Sequence, residues 1–279
     1  MKFFLAAILL LCTSYSSKIF AQEAKDSTHL KTNQDELAFS TDRPGIAESP
    51  FIIPTRSLQL EWGYNNEWQR SETAGMKSTA STITVSSLLL RFAVHQRIEL
   101  RLTHDLAYNT LIIKQPSSKE KTDIQAAPLR GGIKINFTKN KGIIPEFSLL
   151  SEYFIPGTSG KTFDIEKLGM SHRLIAQNAL TSRMNLCYNV GFDMDYDAAS
   201  EKYTNTPYYM IGTDYSITDN LAVFIEAYGY MGEEPDHRWN TGITYVVFPR
   251  FQLDMSVGAK YNGFDAGFFN TGVSYRFLR

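Results

Sequence analysis

Cysteine is nearly missing from this chain: 279 residues hold two, Cys12 and Cys187. Cys12 falls in the apolar start and only Cys187 remains beyond it, so neither a disulfide framework nor a metal site built on cysteine pairs is available. Long hydrophobic runs are missing too. No stretch approaches the roughly 18 apolar residues of a membrane-spanning helix. Neither sign of charge dominates, with 28 Lys and Arg against 29 Asp and Glu. Without a basic block, nucleic acid is excluded as an expected partner. The five histidines lie on separate segments, and none opens an HExxH. There is no GxSxG elbow, phosphate-binding glycine loop or CxxC pair, so neither an enzymatic step nor a cofactor is expected. The chain is 43% hydrophobic and 20% charged. That average does not exclude a membrane β-barrel, which hides its hydrophobicity in alternate positions.

What is present begins with an export signal. Lys2 supplies a positive start, Phe3 to Cys12 a short apolar core, and Ile19-Phe20-Ala21 a cleavage site, so residues 1–21 read as a cleavable signal peptide. Leu11 stands where a lipobox before Cys12 needs a small residue. Residues 22–56 form a polar, then Pro-rich segment, expected in the periplasm or entering a lumen. Pro44, Pro50 and Pro54 forbid a long helix or central strand there.

From Ser57 onward one pattern recurs. Between Arg183 and Tyr196, Met184, Leu186, Tyr188, Val190, Phe192 and Met194 alternate with Asn185, Cys187, Asn189, Gly191, Asp193 and Asp195. Such a segment is a strand with one apolar and one small or polar face. Similar runs start near Leu58, Ile98, Leu129, Phe147, Tyr209, Leu221, Trp239, Phe251 and Phe269. Ser81 to Phe92 is strand-like with an ambiguous outward face, as a bulge produces. His172 to Ala179 is a weaker strand. Short connections near His95, Asn140, Thr181, Asp219 and Arg250 alternate with longer polar ones near Ser71–Ser78, Asn109–Thr122, Gly157–Met170, Asp197–Thr206 and Gly232–Asp236. The expected fold is all-β: an up-and-down antiparallel transmembrane β-barrel of about twelve strands over residues 57–279, with tight turns on the periplasmic rim.

The polar faces then line a lumen. They carry Glu61, Arg97, Glu99, Arg101, Asp105, Arg130, Lys134, Glu146, Glu152, Asp193, Asp195, Asp214, Glu226, Asp254, Lys260 and Arg276. Both signs are present, ten acids and six bases on interleaved strands, and two roles stay open: pairing across the interior as a structural network, or lining a path and setting its charge preference. Asp193, Asp195 and Asp214 are expected together at an external, cation-favouring mouth. Trp68, Tyr108, Phe137, Tyr196, Tyr208, Trp239, Phe248 and Phe277 are expected in aromatic girdles at strand ends.

The motif Thr41-Asp42-Arg43-Pro44-Gly45, followed by Glu48-Ser49-Pro50-Phe51 and Pro54, with Gln59-Leu60-Glu61-Trp62-Gly63 and Gln252-Leu253-Asp254, resembles a known family. It is the outer-membrane family labelled for the MetA-pathway of phenol degradation, also described as transporters, and the likeness runs from Phe39 to Phe277. The resemblance implies a barrel in a bacterial outer membrane for passive passage or binding of a small, aromatic or hydrophobic solute. Its partners would be outer-membrane lipid, the solute and the barrel-insertion machinery. Asp42 and Arg43 are expected to pair with wall charges. Two rivals stand beside this reading: a structural or partner-binding barrel with a filled lumen, and a barrel hydrolase.

Overall fold

The computed structural model describes residues 39–73, 75–114, 117–232 and 234–277. The expected signal peptide lies outside the described residues. From Leu58 the chain is almost entirely strand: β1 (Leu58–Thr73), β2 (Met76–His95), β3 (Ile98–Lys114), the short β4 (Ser117–Lys121) and β5 (Gln125–Ala126), then β6 (Leu129–Thr138) and β7 (Glu146–Ile155). There follow β8 (Gly169–Ala179), β9 (Met184–Asp197), β10 (Lys202–Ser216), β11 (Leu221–Tyr230), β12 (Asp236–Phe248), β13 (Phe251–Lys260) and β14 (Ala266–Phe277). Each long strand pairs antiparallel with the next, and β1 returns to β14 from Leu58↔Phe277 to Gln69↔Ala266. The result is a closed barrel of 12 strands.

β4, β5 and β6 together make one wall strand with two interruptions. All three pair with β3, through Lys121↔Thr110, Gln125↔Ala107 and Arg130↔Thr103. The register slips by one residue at each break, and Pro128, which cannot donate to the ladder, sits just before β6. β2 does carry the bulge its sequence suggested, between Thr84 and Ser86 against β3. Pro207 is tolerated within β10 for a local reason. Its carbonyl accepts from Met231 N, so its missing N–H would also face β11, just where that strand ends.

The rim of tight turns is as expected, but the opposite rim is not made mainly of loops. The stretches Ser71–Ser78 and Asn109–Thr122 are largely paired hairpin, with Ser71↔Ser78, Glu72↔Lys77 and Ile113↔Ser118 in register. Ser71–Ser78 and β4 are polar on both faces, and Leu111-Ile112-Ile113 is apolar on both, so alternation stops while hydrogen-bond pairing continues. Asp197–Thr206 is shortened likewise, because β10 resumes at Lys202.

Burial is inverted relative to a protein in water. Glu61, Arg91, Glu99 and Lys134 are 0% exposed, whereas Val190 is 53% and Ile225 57% exposed. Leu100, Leu102, Ile211, Met255 and Val257 continue the exposed apolar belt around the wall. A closed barrel satisfies every wall backbone group internally, so such a belt can face hydrocarbon.

Candidate functional site

The segment before β1 enters the barrel at the rim of tight turns. Ser40 O accepts from Gln59 Nε2 (2.9 Å), and on leaving the lumen Arg56 N donates to Ala93 O (2.9 Å). Between these points the chain crosses the interior as a loop, Asp42–Ser49. One carboxylate closes its neck: Asp42 Oδ1 accepts from Ser49 N (3.2 Å) and Ser49 Oγ (3.0 Å).

The loop touches the wall nearly all the way round. Arg43 donates to Asp254 on β13 (3.3 Å) and to Asn270 on β14. Glu226 on β11 accepts from the backbone N–H groups of Ile46 (2.8 Å) and Ala47 (3.1 Å). Glu48 N donates to Asn189 Oδ1 on β9 (2.7 Å). Beyond the neck, Pro50 O accepts from Asn136 (3.2 Å) and Ser148 (2.6 Å), and Ile53 N donates to Glu99 (3.1 Å). Extended chain without internal ladder bonds is stable at this depth because wall side chains satisfy its backbone.

The charges concentrate on the β1–β6 side. Asp42 Oδ2 receives Arg91 (3.1 Å), Arg101 (2.8 Å) and Lys134 (3.0 Å). Burial alone would push the Asp42 carboxyl up, but these cations outweigh it and hold it well below the usual carboxylate range. Arg91 also binds Glu61 (3.0 Å) and Glu99 (2.8 Å). Glu48 accepts two bonds from the Arg101 guanidinium (2.8 and 3.1 Å) and one from Lys134 (3.2 Å), with Arg173 4.0 Å away.

A cavity lies on each side of the loop. Toward the hairpin rim is a vestibule of about 550 Å³, bordered by Glu48, Arg101, Arg130, Glu152, Arg173 and Tyr230. Toward the turn rim is a space of about 480 Å³, bordered by Cys187, Asp214, Phe224 and Thr244. Arg43 and Gly45 line both, so the loop is the partition. An aromatic patch of Tyr208, Tyr228 and Phe268 packs with Met210 against Ile46 and Ala47.

Of the residues singled out from sequence, Glu61, Glu99, Arg101, Lys134, Glu226 and Asp254 meet Asp42, Arg43, Glu48, Ser49 and Pro50 in this assembly. Thr41 Oγ1 donates to Arg43 O (2.8 Å) and accepts from Gln252 (2.9 Å), while Pro44 O accepts from Ser256 (3.3 Å). Arg276 binds Gln59 (2.8 Å) below them, and Arg130 binds Asp105 (2.7 Å) in the vestibule. Glu146 binds Asn136 and Lys139, and Lys260 lies 3.6 Å from Asp236.

Three placements differ from expectation. Arg97 is exposed in the β2–β3 turn and donates to Phe137 O (2.8 Å), because the strand phase breaks at the turn. Asp214 pairs in register with Asn185, whereas Asp193 and Asp195 pair with Thr206 and Thr204. The three therefore do not form one mouth; Asp214 lies at the turn rim. Tyr208 belongs to no girdle, since it is 4% exposed and hydrogen-bonds Ser171 inside. Arg91 and Arg173 were missing from the expected interior set. The β2 bulge obscured the first, and β8 has too weak an alternation to place the second.

Among the described residues no group of three or more His, Cys, Asp and Glu side chains is arranged to hold a metal ion. A family model described as "Uncharacterised conserved protein UCP029691" matches residues 162–277. No curated protein matches in sequence. Among solved structures, the COG4313 outer membrane channel of Pseudomonas putida F1 is similar, with 12% identity and a TM-score of 0.63 over 85% of this chain and 100% of that one. The translocator domain of the autotransporter NalP from Neisseria meningitidis is 14% identical with a TM-score of 0.51, covering 80% of this chain and 89% of that one. The transport unit of the autotransporter AIDA-I from Escherichia coli is 10% identical with a TM-score of 0.50, covering 81% and 91%. The resemblance drawn from the Pro-rich motif is thus supported as far as the barrel fold, while the MetA-pathway label is carried by neither the family model nor these structures. At such identities the likeness is one of fold: this chain has the barrel fold of bacterial outer-membrane channels and transport units.

Proposed function

We propose that the protein is an outer-membrane channel for a small solute, closed at rest by its own loop Asp42–Ser49. The observation that carries this reading is the pair of cavities whose partition is the loop. A barrel whose lumen served only as packing would have no need of space on both sides. The apolar belt and the fold shared with an outer membrane channel support the setting. The turn rim, where the loop enters, is then periplasmic, and the hairpin rim external. Both cavities are lined by polar and aromatic side chains, which suits a small solute carrying a polar group.

The filled-lumen reading draws on the fully buried ion network, and one experiment separates the two. The mature protein and a variant lacking residues 42–49 are reconstituted in planar bilayers, with circular dichroism and heat-modifiable gel mobility showing that each is folded. The channel reading expects rare openings from the first and steady conductance from the second. Silence from a folded, inserted loop-deleted barrel would mean the wall itself is closed.

A further inference from the structure

The loop's Glu48 is bound as a ligand would be. Its carboxylate takes both terminal nitrogens of Arg101, the ammonium of Lys134 and, at 4.0 Å, Arg173. Two parallel bonds from one guanidinium are the arrangement that recognises a carboxylate specifically. The cations come from three wall strands, β3, β6 and β8, whereas the carboxylate comes from the loop. The site also borders the vestibule, since Glu48, Arg101 and Arg173 all line it.

Bonding and exposure show which acid is replaceable. Asp42, Glu48, Glu61, Glu99 and Glu152 are interleaved with Arg91, Arg101, Lys134 and Arg173. Withdrawing Glu48 leaves the fork of Arg101 and a donor of Lys134 without the carboxylate they bind, in a region where an unpaired charge is costly. Arg101 and Lys134 keep Asp42, so the wall need not collapse when Glu48 leaves. The Asp42 side chain is 3% exposed and that of Glu48 14%, so of the loop's two acids Glu48 is the one that borders the vestibule.

From these observations we infer that Arg101, Lys134 and Arg173 form a binding site for a small carboxylate solute, and that Glu48 occupies it when the channel is closed. A carboxylate arriving from the vestibule competes with Glu48 and frees that arm of the loop from Arg101, Lys134 and Arg173, while Asp42 and Ser49 keep the neck on the wall. This names the solute class of the proposed channel and rests on that reading for the flow of solute, though not for the site itself.

Cys187 is a built-in reporter, because its Sγ lies 3.2 Å from Glu48 O and lines the cavity on the far side of the loop. Mature protein, numbered from Gln22 and holding only this cysteine, is treated with a charged methanethiosulfonate reagent while bilayer current is recorded. The additions are sodium acetate, sodium chloride at the same ionic strength, and acetamide. Acetate is expected to raise both open probability and the labelling rate of Cys187 by about tenfold or more over chloride and acetamide, the size of a modest population shift. Glu48→Gln is expected to label fast and open without acetate. Equal labelling in all three additions, with Glu48→Gln as slow as the parent, overturns the inference even if the loop-deleted barrel conducts. Faster labelling with acetate but no current from any variant keeps the carboxylate site and overturns the channel.

Discussion

Arg43 owes its place to two side chains that are not there. Gly63 on β1 and Gly272 on β14 are directly opposite in register, and a Cβ at either would collide with the Arg43 guanidinium group. The guanidinium therefore lies close against the wall, reaching Asp254 and Asn270. Alternation alone turns both glycines inward, but nothing in the sequence says that the group filling their space comes from a loop well before them. At Gly63 the nearest atoms a Cβ would meet all belong to Arg43, so Gly63→Ala is expected to lower unfolding stability in urea by about 1–3 kcal/mol, the usual cost of overpacking. In an Arg43→Ala background the same change should cost far less. Equal costs in both backgrounds would show that Arg43 does not use the cradle.

The loop Asp42–Ser49 is held by charge, so its closure has a pH dependence with a definite sign. Asp42 lies outside the membrane-spanning strands, and its carboxyl is held well below the usual range in the closed state. The released state then binds more protons than the closed one as pH falls, and acid favours release. The contribution is complete above the ordinary carboxylate pKa, erodes below about pH 5, and is lost as pH drops through the lowered value. Open probability is expected to stay flat from pH 8 to about 5 and to rise only on stronger acidification. A rise between pH 7 and 6 would contradict the assignment, while Asp42→Asn should abolish Asp42's part of the acid response. At this scale the motif Thr41–Pro54 was legible as an extended segment near wall charges. Its looped path was not, because the bond that closes the neck joins Asp42 to Ser49 through a side chain. The strands divide the same way. Where one face is apolar, as in β9 and β13, their phase can be read directly. Beyond the belt, in Ser71–Ser78 and β4, both faces are polar and only hydrogen-bond pairing shows the strand.

At the scale of the molecule, the inverted distribution of charge and hydrocarbon gives the barrel its meaning. Ile225 and Met76 are both large, apolar and exposed, at 57% and 42%, yet they occupy different surroundings. Ile225 lies mid-strand in β11 within the apolar belt, and Met76 begins β2 at the tip of a polar hairpin. If the belt faces a bilayer, an arginine at Ile225 must be carried into hydrocarbon, at a cost of about 2–4 kcal/mol near the midplane. An arginine at Met76 remains in water, and a surface change of that kind stays within about 0.5 kcal/mol. Urea unfolding of Ile225→Arg and Met76→Arg from phospholipid vesicles measures both costs. A large loss at Ile225 beside almost none at Met76 is the expected pair. Similar small losses at both would mean that water, not lipid, surrounds the belt, and would remove the membrane from the account of this fold.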